Sequence, residues 1–314
     1  MQNILFLGGS GFIGKNIVES FSEDRNCNLI VITRNSFLIN DMLFLKPNIT
    51  VLVGELEDFD FIEDLIIEHE VNVIIHMLSS LIPSSSDIHF YESINKIIVP
   101  TFKLIDFIAD RNIKFLYFSS GGTIYGNTSS IIKESHLLNP INNYGLSKLM
   151  IENYINYKSN RSTLDFIIIR PSNVYGKHQS FNSNQGFISV AINKIYNNIP
   201  IEVWGDGNSV RDYIQVDDVV FFVRKLLSDF SHGSTTINLS TGIGKSLLDI
   251  IILIEKNTKK KAIIHFKNKR SVDANTIVLD NSKLLMIIPH DFISIDQGIK
   301  SQVNYFKKIL NNAN

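Results

Sequence analysis

The stretch Ile4-Leu5-Phe6-Leu7-Gly8-Gly9-Ser10-Gly11-Phe12-Ile13-Gly14 decides the fold. Four apolar residues stopped at once by glycine have the length of a buried strand, not of a helix. Gly8, Gly11 and Gly14 follow with the spacing G-x-x-G-x-x-G, and Asn16 to Phe21 continues as a helix. A strand that turns on glycine into a helix aims main-chain N–H groups and the positive end of the helix at one point. No side chain stands in the way, so the turn suits a diphosphate. Gly8, Gly11, Phe12, Ile13 and Gly14 are therefore candidate dinucleotide contacts.

Outward from this turn, short apolar runs alternate with helical patterns. Strands are expected at Asn28 to Thr33, Ile49 to Val53, Asn72 to Met77, Ile113 to Ser119 and Leu164 to Arg170. Helices are expected at Phe59 to Glu70, Ile97 to Ala109 and Tyr144 to Tyr157. Strands separated by helices of this length make right-handed βαβ units, hence an α/β fold with a Rossmann-type doubly wound parallel sheet. After residue 171 the rhythm loosens. Val219 to Leu227 and Leu247 to Asn257 still look helical, while 200–215 and 260–280 look like short strands and loops. The expected organisation is a dinucleotide-binding domain over 1–170 and a smaller C-terminal lobe over 171–314, mainly substrate-binding, with some segments returning to the first domain.

Bulk composition excludes several classes. Of the 314 residues, 44% are apolar, enough to build a sizeable core. The 30 Lys and Arg against 31 Asp and Glu leave a net charge of −1, which gives no reason to expect a nucleic acid or a membrane surface as partner. Lys259-Lys260-Lys261 reads as a solvated surface turn. The lone cysteine, Cys27, has no internal disulfide partner and reads as a packing residue, so the chain suits a reducing compartment. The start Met1-Gln2-Asn3 lacks the marks of a signal peptide, and no apolar run reaches the ~20 residues of a membrane span. A cytoplasmic protein is expected, and no metal-ligand cluster stands out.

The end of the second strand selects the coenzyme. An acidic residue there bonds the adenosine ribose of NAD. Thr33-Arg34-Asn35 stands there instead, and Arg34 suits a 2′-phosphate, so NADP is open beside NAD. An exposed loop arginine, or one stacked on adenine, fits the same position.

Tyr144-Gly145-Leu146-Ser147-Lys148 puts a phenol and an ammonium on one helical face, four residues apart. The cation is expected to lower the phenol's pKa, making Tyr144 a general acid and base near neutral pH. The pair falls after the fifth strand and just before the sixth. Upstream, Ser119-Ser120-Gly121-Gly122-Thr123-Ile124-Tyr125-Gly126 closes the fifth strand at the carboxyl edge of the sheet, where α/β sites form. A hydroxyl there could bond a substrate oxygen that gains and loses a proton; a polar turn is the plainer alternative.

Together the ordered motifs resemble the extended short-chain dehydrogenases/reductases. Within them the match is to the NAD-dependent sugar-nucleotide epimerase/dehydratase family related to UDP-glucose 4-epimerase. The marks are GGSGFIG at 8–14, GELED at 54–58, IIH ending at His76, SSGGTIYG at 119–126, YGLSK at 144–148, RPSNVYG at 170–176, WGDGNSVRDYIQVDD at 204–218 and LDNSK at 279–283. They span nearly the whole chain.

That resemblance implies a nucleotide-sugar 4-epimerase acting through a transient 4-keto sugar, with UDP the favoured nucleotide and a homodimer the expected assembly. It implies that Tyr144 moves the sugar hydroxyl's proton and that Lys148 tunes it and holds the nicotinamide ribose. Arg34, Asn35, Glu55, Leu56, Met77, Leu78, Ser79 and Pro171 join the coenzyme set, and His76 is expected to be structural. Asn173 and Arg211 are implied as diphosphate contacts and Arg270 as a further one. Asp273 would contact the nucleoside ribose, and Gln185 and Trp204 complete the substrate set. Leu81, Pro83 and Ser84 are further pocket candidates.

The sequence departs from the family at one catalytic place. The family's catalytic Ser or Thr aligns with Gly121, so Ser119, Ser120 or Thr123 must supply the hydroxyl, or water does; Ser120 is favoured. The Asp-Glu pair that related 4,6-dehydratases use to eliminate water is replaced by Gly122 and Thr123, which argues against a dehydratase. The competing expectation is an NADPH-dependent reductase of a nucleotide 4-keto-6-deoxy sugar, suggested by Arg34. A non-catalytic nucleotide sensor on the same fold is the remaining one.

Overall fold

The structure, a computed structural model, describes residues 1–37, 41–128, 130–183, 185–228, 233–268 and 276–313. In chain order the elements through the sixth strand are β1 (Gln2–Leu7), α1 (Phe12–Phe21), β2 (Cys27–Thr33), β3 (Ile49–Val53), α2 (Phe59–Glu68), β4 (Val73–His76), α3 (Asp87–Ser93), α4 (Val99–Ile108), β5 (Lys114–Phe118), α5 (Asn143–Ser159) and β6 (Asp165–Pro171). Then come β7 (Asn173–Tyr175), α6 (Phe187–Tyr196), β8 (Ile201–Trp204), β9 (Val210–Gln215), α7 (Val216–Ser228), β10 (Thr235–Leu239), β11 (Gly244–Ser246), α8 (Leu247–Thr258), β12 (Ile264–Lys267), β13 (Thr276–Ile277), α9 (Ser282–Ile287) and α10 (Ile295–Ala313).

The chain forms two compact units. One comprises 1–124, 140–170 and 223–237; the other comprises 125–139, 171–222 and 238–314. The first unit is built on a seven-stranded sheet of order β10-β6-β5-β4-β1-β2-β3. All the pairings from β6 through β3 are parallel. Its strands are short and nearly continuously apolar because helices cover both faces, as in Val73-Ile74-Ile75-His76, where every residue is buried. The chain leaves β1 toward β2 and β3 on one side and then returns to β4 on the other. The carboxyl ends of β1 and β4 therefore flank the crevice where such sheets bind ligands.

The helices follow their apolar spacing. In α2, Ile62, Leu65 and Ile66 enter the core, each contributing about 1.5–3 kcal/mol by burial. Asp58 caps the helix by accepting from the Phe61 amide. The helix expected from Ile97 begins earlier, at Asp87, and passes through one π-helical stretch at Ile94–Ile98 before α4. Pro100 gives the reason. It has no N–H, and in a regular helix its ring would meet the carbonyl of Lys96, so an inserted residue relieves the clash.

The second unit has its own core, in which Tyr175, Phe181, Ile192, Ile254, Val303 and Phe306 pack together. Here β9 is central: β7 and β13 pair with it in parallel and β11 antiparallel. Residues 125–139 belong to this unit although they precede α5 in sequence. A buried polar knot explains it. Asn238 accepts from the Tyr125 hydroxyl at 2.7 Å and donates to the carbonyls of Ile132 at 2.9 Å and Asp280 at 3.3 Å. Ile132 also bridges to Leu279. Cys27 is buried in the first unit, and burial raises its thiol pKa, which fits a packing role. Among the described residues no helix is long and apolar enough to cross a membrane.

Asn238→Ala removes the acceptor of one hydroxyl and the donor of two carbonyls. It should cost about 1–3 kcal/mol of unfolding free energy per group stranded. Denaturant titration checks this, and an unchanged midpoint would show that the knot is dispensable.

Candidate active site

The candidate residues of the first unit gather at the carboxyl edge of its sheet. The glycine turn follows β1. Gly8 takes φ +95°, and a Cβ at Gly14 would lie 2.2 Å from the Gly8 carbonyl oxygen. Both positions exclude a side chain, so α1 starts hard against the turn. No side chain caps α1 at Gly11, which leaves its N-terminal amides, at Phe12, Ile13 and Gly14, suited to a diphosphate. Met77 and Leu78 line Gly8 from the end of β4. Ser79 is exposed and closes a small loop, accepting from the Leu81 amide and donating to the Leu81 carbonyl.

At the adenosine end, Arg34 and Asn35 are exposed just after β2. Glu57 lies in the field of Arg34 and Lys96 and shares a hydrogen bond with Glu55, which holds the Glu57 carboxyl above its ordinary pKa. A carboxylate pair facing Arg34 offsets the positive potential a 2′-phosphate needs. Leu56 turns inward into the hydrophobic core.

The catalytic candidates sit on α5 and on the turn after β5. Asn142 caps α5 by accepting from the Gly145 amide at 2.8 Å. Gly145 lets the helix touch that turn: a Cβ there would lie 2.6 Å from the Thr123 carbonyl oxygen. Lys148, buried, donates to the carbonyls of Phe118 at 2.9 Å and Leu78 at 3.2 Å, and its ammonium lies 5.8 Å from the Tyr144 ring centroid. The phenol's expected fall in pKa is not found. Burial pushes Tyr144 up, and the Ser120 side chain, within hydrogen-bonding reach, opposes the rise. Burial also brings Lys148 down to about 7, with Glu152 opposing. Desolvation of both groups outweighs their mutual attraction.

Of the candidate hydroxyls, Ser120 is the one that acts on the Tyr144 phenol's pKa. The hydroxyls of Ser119 and Thr123 are buried and have no hydrogen-bond partner. Two such atoms in the turn after β5 fit a bound polar ligand better than a packed core. A Cβ at Gly122 would meet nothing within 4 Å, so the place where a dehydratase carries an acid is open. Among the described residues no group of three or more His, Cys, Asp or Glu could hold a metal.

His76 is structural here. It bonds Thr101 Oγ1 at 2.9 Å, and that hydroxyl donates to the Ile97 carbonyl, so the imidazole carries its proton on Nε2. Burial, then the Lys148 charge, bring its pKa down to about 3.

In the second unit, Pro171 closes β6 and Asn173 opens β7. Asn173 lies opposite Tyr213 on β9, so Arg211, two residues before Tyr213, shares its sheet face. Asn173 donates to the Asp212 carbonyl at 3.0 Å, and Arg211 to the Val210 carbonyl at 2.8 Å. The strand between them is locked by Asp212, which the sequence reading did not single out. Its buried carboxylate accepts from Ser172 Oγ and from the Thr241 and Gly242 amides, and Thr241 Oγ1 donates to it at 2.8 Å. Its place in the Val-Arg-Asp-Tyr string was the available signal. Trp204 ends β8, and Gln185 is exposed in the loop before α6. Arg270 and Asp273 lie outside the described residues.

The description of the NAD dependent epimerase/dehydratase family matches residues 4–240. The chain belongs to that family. Among its relatives, a dTDP-4-dehydro-6-deoxyglucose reductase of Escherichia coli is 30% identical over 309 residues, covering 95% of each chain. A putative UDP-glucose 4-epimerase of Methanocaldococcus jannaschii is 29% identical over 308 residues, covering 97% of this chain and 98% of that one. The structure of UDP-glucose 4-epimerase from Thermotoga maritima with UDP-glucose superposes with a TM-score of 0.90 at 26% identity, covering 98% of this chain and all of that one.

The buried His76 predicts an acid-side weakness. Its pKa, about 3 folded and 6.5 unfolded, means the unfolded chain binds the extra proton between those values. Stability held above pH 6.5 is therefore lost as pH falls toward 3, by at most about 1.4 kcal/mol per pH unit. Denaturant unfolding across pH 4–7 should show this slope, and His76→Asn should flatten it. An equal slope in both proteins would assign the loss to other groups.

Proposed function

We propose that this protein is an NAD-dependent nucleotide-sugar 4-epimerase of the UDP-hexose type, acting through a transient 4-keto sugar. The observation that carries the proposal is the Ser120–Tyr144–Lys148 constellation at the sheet's carboxyl edge, with Gly122 and Thr123 where a dehydratase needs an acid and a base. The relatives from M. jannaschii and T. maritima support the same activity and the UDP nucleotide.

When bound, NAD supplies a reversible acceptor for the hydrogen on C4 of the sugar. The glycine turn at 8–14 and the α1 N-terminus would hold its diphosphate, Glu55 its adenosine end, and Lys148 its nicotinamide ribose. Tyr144 removes the proton of the 4-hydroxyl as the carbonyl forms and returns it after the keto sugar has turned. Ser120 bonds the same oxygen and keeps it in line with the phenol. Asn173 and Arg211 bind the substrate diphosphate, leaving the sugar free to rotate about its link. Single-cysteine usage supports a cytoplasmic enzyme, and the family resemblance supports a homodimer.

One finding favours a second function, an NADPH-dependent 4-keto-6-deoxy-sugar reductase: the similarity to the E. coli reductase over 95% of the chain. Arg34 points the same way, and the Glu55–Glu57 pair beside it points to NAD.

The test is NMR of the purified protein with UDP-glucose, UDP-N-acetylglucosamine and their uronic acids, with no coenzyme added. A C4 epimer is expected. No conversion, even with NAD supplied, together with NADPH consumption on a 4-keto sugar, would install the reductase. Tyr144→Phe should cut turnover by about 10² or more, and near-normal activity in that variant would remove the proton-transfer role.

A further inference from the structure

Beneath the reacting pair lies a buried charged group that the mechanism leaves unused. Glu152 is 1% exposed and Arg170 is 6% exposed by side chain. The guanidinium meets the carboxylate at three points: Nε to Oε1 at 3.0 Å, Nε to Oε2 at 3.2 Å and Nη2 to Oε2 at 2.5 Å. A pair this deep does little for net stability, since a well-packed apolar pair does as well. Its placement is more informative. Tyr144, Lys148 and Glu152 are spaced i, i+4 and i+8 on α5, so they form one row along the helix. The acid therefore stands one turn below the lysine, as the phenol stands one turn above it.

Three side chains near this row, on the neighbouring strands, are neutral or work against a charged lysine. His76, on β4, is held neutral with its Nδ1 unpartnered. Tyr117, on β5, is fully buried with an unpartnered hydroxyl, and its ring lies 5.0 Å from the Lys148 ammonium. Arg170, on β6, is a like charge. Carbonyl dipoles from Phe118 and Leu78 help the ammonium, and among the described residues Glu152 is the anion acting on it.

We propose that Glu152, held in place by Arg170, is a positioning residue that keeps Lys148 charged beneath Tyr144. Arg170 fixes the carboxylate's direction, and the carboxylate offsets the cost of burying the ammonium. Lys148 can then stabilise the phenolate. The catalytic consequence rests on the reading of Tyr144 and Lys148 as the reacting pair; the charge state of Lys148 does not.

The experiment titrates Lys148 directly, by NMR of the protein labelled with ¹⁵N at the lysine side chains. Lys148→Met identifies the signal. In Glu152→Gln the midpoint should fall by about one pH unit or more, because an attractive charge is lost and Arg170 is left as a repulsive one. Where loss of the ion pair prevents folding, Glu152→Gln/Arg170→Met removes both charges and should still lower the midpoint. The alkaline limb of the pH–rate profile should move down with it. An unchanged midpoint in a folded variant, with only stability reduced, overturns the proposal. A midpoint that falls in a protein that epimerises no sugar retains it and overturns the functional proposal instead.

Discussion

The two hydrogen bonds from Lys148 to the carbonyls of Phe118 and Leu78 are the constraint on which the site of the first unit depends. Each carbonyl lies at the carboxyl end of a strand or just beyond it, and the strands, β5 and β4, are neighbours. One ammonium thus fixes α5 against the sheet at the height where the glycine turn opens. The cation is buried to make these bonds, and the same burial lowers its pKa to about 7. Anchoring and proton chemistry are therefore coupled: the carbonyls favour the charged ammonium, while the burial that brings it to them disfavours it.

Much of the first unit was legible because its signals are local. A strand of four apolar residues, a glycine spacing and an i, i+4 pair each name their own geometry. The helix through 87–108 was less so. Its apolar pattern shows only the part after Ile97, while the π-helical stretch answers a clash between Pro100 and a carbonyl four residues back, which no composition window registers. The second unit was legible mainly by motif. Asp212 looks like a surface acid in a polar string. Only the folding back of 240–242 supplies the amides that make it a buried lock. The C-terminal helix α10 carries a stripe at helical spacing, Ile295, Ile299, Val303 and Phe306.

The identity of the hydroxyl beside Tyr144 shows where spacing fails. Three candidates within five residues differ in nothing that a sequence displays. Their surroundings separate them: Ser120 opposes the rise of the phenol's pKa, while the hydroxyls of Ser119 and Thr123 are buried without partners. The phenol's own pKa was misjudged for a related reason. Pairwise attraction can be read from an i, i+4 spacing, but the desolvation that exceeds it depends on what the rest of the chain packs around the pair.

Gly122 bears on how this site could change over evolutionary time. Its missing side chain leaves open space and strains nothing. An acidic residue could enter there in a single substitution with no repacking of the turn. At Gly122, what separates this site from an eliminating one is thus electrostatic rather than steric. The acid of the pair has room there, and its cost is that of placing a further ionisable group beside an already desolvated phenol and lysine; the base would require Thr123 to be replaced as well.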